Sequence, residues 1–313
     1  MIADYSNLAM VTSAVLYLLA MTAHALEWAS ARTARAAEPA LVRVGAGVEP
    51  SGDAGVAGAR PTPSPRVDRF GRIGVAITVV ATLTHLVGVV LRGIAADRAP
   101  WGNMYEFITT SLVIVAIAYL VLATRYGMGW LGLPVTLLLT IGQGLAVTVF
   151  YVQVSELMPA LHSVWFVIHI IAAATAGAAF NIGGIASILY LLRSRAEERG
   201  QVRGYLARVP AAEVLDRVSY RTLAFAFPLW TFTIAAGAIW AQYAWGRFWG
   251  WDPKETMSLV TWIVYAVYLH ARATAGWKGR RAAIVAVIGL ASFWFNFVGI
   301  NLLVSGLHSY AGI

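Results

Sequence analysis

Residues 164–192 read VWFVIHIIAAATAGAAFNIGGIASILYLL, a stretch without a single Asp, Glu, Lys or Arg. At about 1.5 Å per helical residue it is long enough to cross the roughly 30 Å hydrocarbon layer of a bilayer. In lipid, every peptide N–H and C=O must find its partner inside the segment, so an isolated run of this kind is a helix. It carries one imidazole, His169, close to its first end.

Similar runs occur on both sides of it. Apolar stretches near 8–28, 73–91, 105–124, 131–150, 222–244, 256–271 and 282–304 complete a set of about eight transmembrane helices. The composition agrees: 59% of the 313 residues are apolar and 12% charged, against roughly 25% charged in a soluble domain. The expected fold class is therefore an all-α polytopic membrane protein. The first run follows Asp4 with no preceding positive charge and no clean cleavage site, so it reads as helix one (1–28) and not as a signal peptide.

The net charge of +8 lies in loops and not on one soluble face, so nucleic acid is not the expected partner. Lys and Arg crowd into 29–72, 193–221 and 272–281, with Arg125, whereas the opposite loops hold Arg92, Arg98, Arg247 and Lys254. By the positive-inside rule both termini are extracytoplasmic. Segment 29–72, rich in Pro, Ala, Gly and Arg, reads as a disordered cytoplasmic linker, and 73–313 as the working membrane domain. Cysteine is absent, which excludes disulfides, thiol redox chemistry and Cys-ligated metal. Metal chemistry must rest on the six histidines.

The densest motif is the external loop Trp245-Gly-Arg247-Phe-Trp249-Gly-Trp251-Asp252-Pro253-Lys254-Glu255. Asp252 suits an N-cap, Pro253 the first helical position and Glu255 the third, a capping box that pins helix seven. Tryptophan is common at membrane interfaces, but an interfacial belt needs no Trp-x3-Trp-x-Trp-Asp-Pro spacing with interleaved glycines. Flat indole faces approached closely by backbone suit a planar apolar ligand. His169 and His308 fall at the level of this platform, and two neutral imidazoles there are what six-coordinate haem iron requires. Arg247 or Lys254 is then placed to meet the propionates. His270 lies far down helix seven and cannot share that iron, so it belongs to a second, cytoplasmic-side site. His24, near that depth, reads as a packed polar residue or a ligand of that second site; His85, nearer the outer side, is disfavoured as a partner of His270 and reads as a packed polar residue, and His162 as a surface residue. Gln143, Asn181, Asn296 and Asn301 read equally as interhelical glue or the lining of a route. Glu106 reads as a helix-start carboxylate.

These residues resemble the CcsA/ResC branch of system II cytochrome c biogenesis, marked by the tryptophan-rich WWD signature, and the actinobacterial CcsB-type members in particular. The resemblance runs from about Arg92 onward through Pro100-Trp-Gly-Asn-Met-Tyr-Glu106, Ser163-Val-Trp165-Phe-Val-Ile-His169, the 245–255 signature, His270 and His308. It implies transmembrane haem transport in the bacterial plasma membrane and presentation of bis-His haem b on the extracytoplasmic WWD loop. Trp245, Trp249, Trp251 and Asp252 belong to that loop. His169 and His308 resemble the external axial ligands and His270 a transmembrane one, the fourth histidine being expected from a ResB/Ccs1 partner. The recipient is an apocytochrome c with a CxxCH motif, and cytochrome c synthase activity belongs to the complex with that partner. Two other readings are a system I CcmC-like protein that delivers haem to a chaperone, which normally has fewer spans, and a b-type electron-transfer cytochrome, which typically pairs histidines for stacked haems.

Overall fold

The computed structural model describes residues 1–41 and 65–308. Eight long helices follow one another: α1 (Ile2–Leu41), α2 (Pro65–Ala96), α3 (Met104–Arg125), α4 (Gly132–Thr148), α5 (Val164–Glu198), α6 (Ala212–Trp245), α7 (Pro253–Thr274) and α8 (Arg280–Leu303). No strand occurs among the described residues. Seven of these helices are long and apolar enough to cross a membrane, and the chain is an all-α polytopic membrane protein. The exception is α7. It has the length, but Lys254, Glu255, His270 and Arg272 make it less apolar, and it packs against α6 and α8.

The helices overrun the apolar runs that predict them. Residues 29–41 and 65–72, expected within a disordered linker, are helical, and residues 42–64 of that linker lie outside the described residues. Membrane thickness limits the apolar run but not the hydrogen-bond ladder, and Arg, Glu and Ala continue a helix readily into water. Likewise α6 begins at Ala212, well before the apolar stretch at 222.

The centre of the bundle is α5, whose apolar window is 61% buried against 28–39% in the other spans. Two cores meet on it. One joins α1–α4 around Tyr17, Leu112, Tyr119 and Leu139 and reaches Ala178 and Ile182 of α5. The other joins α5–α8, where Phe180 stacks on Tyr265 with centroids 4.2 Å apart and touches Trp230 and Phe293. In lipid, close helix approach relies on small residues. The α5 glycines serve this end: a Cβ on Gly177, Gly183 or Gly184 would fall 2.5–2.7 Å from Phe293, Leu223 or Leu290.

Ser6 Oγ donates to the Gly88 carbonyl (2.8 Å), so the start of α1 lies beside the last part of α2, which leads to Trp101. The start of the chain and His308 are therefore at the same end of the bundle as the 246–252 loop, the tryptophan end. The basic loops are at the other.

Candidate functional site

The loop between α6 and α7 is built around one carboxylate. Gly246 closes α6 in the left-handed region (φ 71°). Glu255 then gathers the turn: its carboxylate accepts from Arg247 Nη1 (3.0 and 3.3 Å), the Gly250 N–H (2.9 Å) and the Asp252 N–H (3.1 Å). Asp252 completes the expected capping box, accepting from the Lys254 N–H (3.2 Å). Trp251 is held at φ 60°, a left-handed conformation costly for a bulky residue. A loop so constrained presents its indoles in one arrangement.

Asp252 also anchors the segment after α8. Its Oδ1 accepts from the Leu307 N–H (2.7 Å) and its Oδ2 from His308 Nδ1 (2.9 Å). Burial pushes the Asp252 carboxyl up, but the hydrogen bonds from His308, Leu307 and Lys254 outweigh it and hold the group at about 2. Burial lowers His308 below the ordinary histidine range, with Asp252 opposing. His308 is therefore neutral at pH 7. With an anion accepting from Nδ1, the lone pair is on Nε2.

His169, one and a half turns into α5, reaches the same tautomer by another route. Its Nδ1 lies 2.9 Å from the Thr233 carbonyl of α6, an acceptor only, so Nδ1 carries the proton and Nε2 is bare. The two helices can approach because residue 237 is glycine; a Cβ there would sit 2.7 Å from His169 Nδ1. Trp240 neighbours both imidazoles, its ring centroid 5.8 Å from His169 and 5.7 Å from His308, and Trp245 is 5.1 Å from His308. Trp240 is fixed by its indole N–H donating to the Ala160 carbonyl (2.7 Å).

A cavity of about 240 Å³ adjoins this cluster. That is room for on the order of twenty water molecules, far more than the voids normal between packed side chains. Both histidines line it, with Trp240, Trp245, Phe248, Trp249 and Lys254. Two imidazoles held at Nδ1, flat aromatic walls and Lys254, which burial lowers to about 7, suit a bis-imidazole metalloporphyrin, which is planar, apolar and edged with carboxylates. Lys254 Nζ donates to Asn301 Oδ1 (2.8 Å).

Of the expected site residues, the structure thus brings together His169, His308, Trp245, Trp249 and Lys254. Arg247 is committed to Glu255 and lies 5.9 Å from the Trp245 ring, Asp252 braces His308, and Trp251 is 68% exposed, edge-on to Trp249. His270 is remote, on the exposed side of α7. The other histidines are engaged locally. His24 is buried between Glu27 (3.1 Å) and the Tyr119 hydroxyl (3.4 Å), His85 meets the Tyr17 hydroxyl (3.2 Å), and exposed His162 approaches the Leu157 carbonyl.

Trp240 and Asn103 were not singled out by the sequence, although both line the cavity. The only signal for Trp240 is its place one and a half turns before Trp245. Arg92 and Arg98, counted as loop charges, are in fact buried: Arg92 Nε (2.9 Å), Arg98 Nη1 (2.6 Å) and the Gly102 N–H (2.8 Å) all donate to the fully buried Glu106 carboxylate. Glu106 ties the 97–102 turn to α2 and α3.

A profile of the family described as cytochrome C assembly protein matches residues 101–308, the same limits between which the cavity residues fall. The chain belongs to this family. Curated relatives agree: a cytochrome c biogenesis protein CcsA of Guillardia theta is 35% identical over 256 residues, covering 76% of this chain and 85% of the relative. That of Gloeobacter violaceus is 32% identical over 297 residues, covering 78% and 88%. Among solved structures, the cytochrome c haem lyase CcmF superposes with a TM-score of 0.64 at 13% identity, covering 95% of this chain and 46% of that one. This last likeness is one of fold. Within the family region fall His169, Trp240, the 245–255 loop, His270 and His308, while α1 and α2 precede it.

Proposed function

We propose that this protein acts in system II cytochrome c maturation, carrying haem b across the bacterial plasma membrane and presenting it for covalent attachment to an apocytochrome c. The haem iron is held between His169 and His308, with Trp240, Trp245 and Trp249 against the macrocycle and Lys254 near its propionates. The tryptophan end is extracytoplasmic, as the loop charges require. Supporting this reading above all is one observation: two imidazoles from distant parts of the chain, each held through Nδ1, line one tryptophan-walled cavity.

Attachment adds each S–H of a CxxCH motif across a haem vinyl group, sulfur bonding to the carbon next to the ring and hydrogen to the terminal carbon. The protein's share is to position the macrocycle and exclude side reactions. His270 belongs to a second haem position nearer the cytoplasm, and its exposure on α7 leaves the other axial place to a histidine of a ResB/Ccs1-type subunit. The synthase activity is that of the pair.

The test is spectroscopic. The full-length chain purified with its partner should show a bis-His haem spectrum, and His169→Ala and His308→Ala should each reduce bound haem or convert part of it to five-coordinate iron that exogenous imidazole restores. Unchanged haem content and spectrum in both variants would refute the assignment.

A further inference from the structure

The haem-presenting reading puts Lys254 near the propionates and leaves open what else holds them. Aromatic rings line the cavity around α6 and the loop (Trp240, Trp245, Phe248, Trp249) and also along α3 and α8 (Phe107, Phe293, Phe297). What sets the side of α3, α8 and the start of α7 apart is a set of hydrogen-bond donors that lack full partners.

Asn103 caps α3. Its Oδ1 accepts the Glu106 N–H (3.0 Å), which fixes the carboxamide and turns Nδ2 away from its own helix. That Nδ2 is buried with no partner among the described residues, and Asn103, 8% exposed, lines the cavity. A buried donor left unpaired costs on the order of 1–3 kcal/mol, so a group that accepts from it is strongly selected. Lys254 lines the same cavity. One of its three ammonium hydrogens goes to neutral Asn301, and the neighbouring carboxylates are spoken for: Glu255 by Arg247 and two backbone N–H groups, Asp252 by His308, Leu307 and the Lys254 backbone. Asn301 Nδ2 approaches the sulfur of Met104 (3.4 Å), linking Lys254 to the residue next to Asn103. Deeper along α3, the Ser111 hydroxyl also lines the cavity without a partner. Glu106, one turn into α3 from Asn103, is neutralised by Arg92 and Arg98. A wall of hydrogen-bond donors whose neighbouring carboxylates are all paired is a receptor for carboxylates.

We infer that the haem sits with its two carboxylates on the Asn103–Lys254 wall and its vinyl edge toward the Trp249 loop. This rests on the haem-presenting reading and sharpens it. The orientation meets the chemistry, because the cysteine thiols of a folded-out apocytochrome segment can reach the vinyl carbons at the exposed loop while the propionates stay within. Asn103 is a positioning residue, selecting the orientation without touching iron or vinyl.

The experiment compares haem b with its dimethyl ester, whose carboxylates are masked, in the purified full-length chain, by the rate of transfer to apomyoglobin. In the wild type the ester should leave about tenfold faster or more, the equivalent of one charge-assisted hydrogen bond. Asn103→Asp keeps the capping oxygen but replaces the donor with an acceptor. It should speed the loss of haem b about tenfold and leave the ester unchanged, with the bis-His spectrum retained. Equal retention of acid and ester by the wild type overturns the orientation, and needs no variant to fold. If that equality comes with an intact His169- and His308-dependent spectrum, the orientation alone fails. If the wild type shows no such spectrum, the haem site itself fails and the orientation with it.

Discussion

Asp252→Asn isolates the contribution of one negative charge to the position of His308. Asparagine caps helices as well as aspartate does, and its carbonyl oxygen can still accept from the Leu307 N–H, so α7 and the backbone near Leu307 should stay in place. What is lost is the ionic acceptor for His308 Nδ1 at 2.9 Å. The native carboxyl lies at about 2 against an ordinary 3.8, which at 1.36 kcal/mol per pH unit is at most ~2.5 kcal/mol shared among its donors. Water reaches the loop and screens the pair, and roughly half of that, on the order of 1 kcal/mol, belongs to His308. The docked population of His308 should then fall about fivefold relative to undocked forms. In purified protein this reads as a mixture of bis-His and five-coordinate haem at normal yield, with added imidazole restoring the six-coordinate spectrum. A variant with wild-type haem content and spectrum would refute the view that Asp252 positions the ligand. The pH dependence has a definite sign. A carboxyl depressed on folding stabilises the folded state above its ordinary 3.8 and loses that contribution as pH falls toward 2. For His308, lowered on folding, docking is favoured above its ordinary 6.5 and weakens as pH falls below it.

Gly237→Ala should push His169 off the Thr233 carbonyl, because the new Cβ would lie 2.7 Å from Nδ1; loss of the bis-His spectrum without loss of expression is the expected result. Glu106→Gln leaves Arg92 and Arg98 buried against a neutral partner. It should destabilise the chain by about 3–5 kcal/mol, measured as a large drop in thermal stability in detergent. Phe180→Ala removes the ring stacked on Tyr265 and should cost about 3–5 kcal/mol, with the spectrum of surviving protein unchanged, since Phe180 lies away from the two imidazoles.

Apolar runs marked the eight helices because lipid demands them, and the cap at Asp252 marked the start of α7 because an N-terminus needs an acceptor. The ends were illegible for the complementary reason: beyond the bilayer the ladder continues through charged helix formers, as from Arg193 to Glu198. The 245–255 loop was legible because its chemistry is contiguous. Trp240 was not, since its nearness to both His169 and His308 depends on three separate segments meeting. Arg92 and Arg98 were read as solvated because charge counting takes no account of a carboxylate 14 and 8 residues away. For the start of α3 only Glu106 was read from the sequence, and the fold alone shows that Asn103 caps it with one half of its carboxamide and lines the cavity.

One rod, Pro253–Thr274, runs unbroken from the Asp252 anchor at its first end to His270 near its last. Because Asp252 caps this rod and also tethers His308, a tilt applied at the distant end swings the tether as well. Any shift of this rod along its axis would move the Asp252 anchor and His270 together.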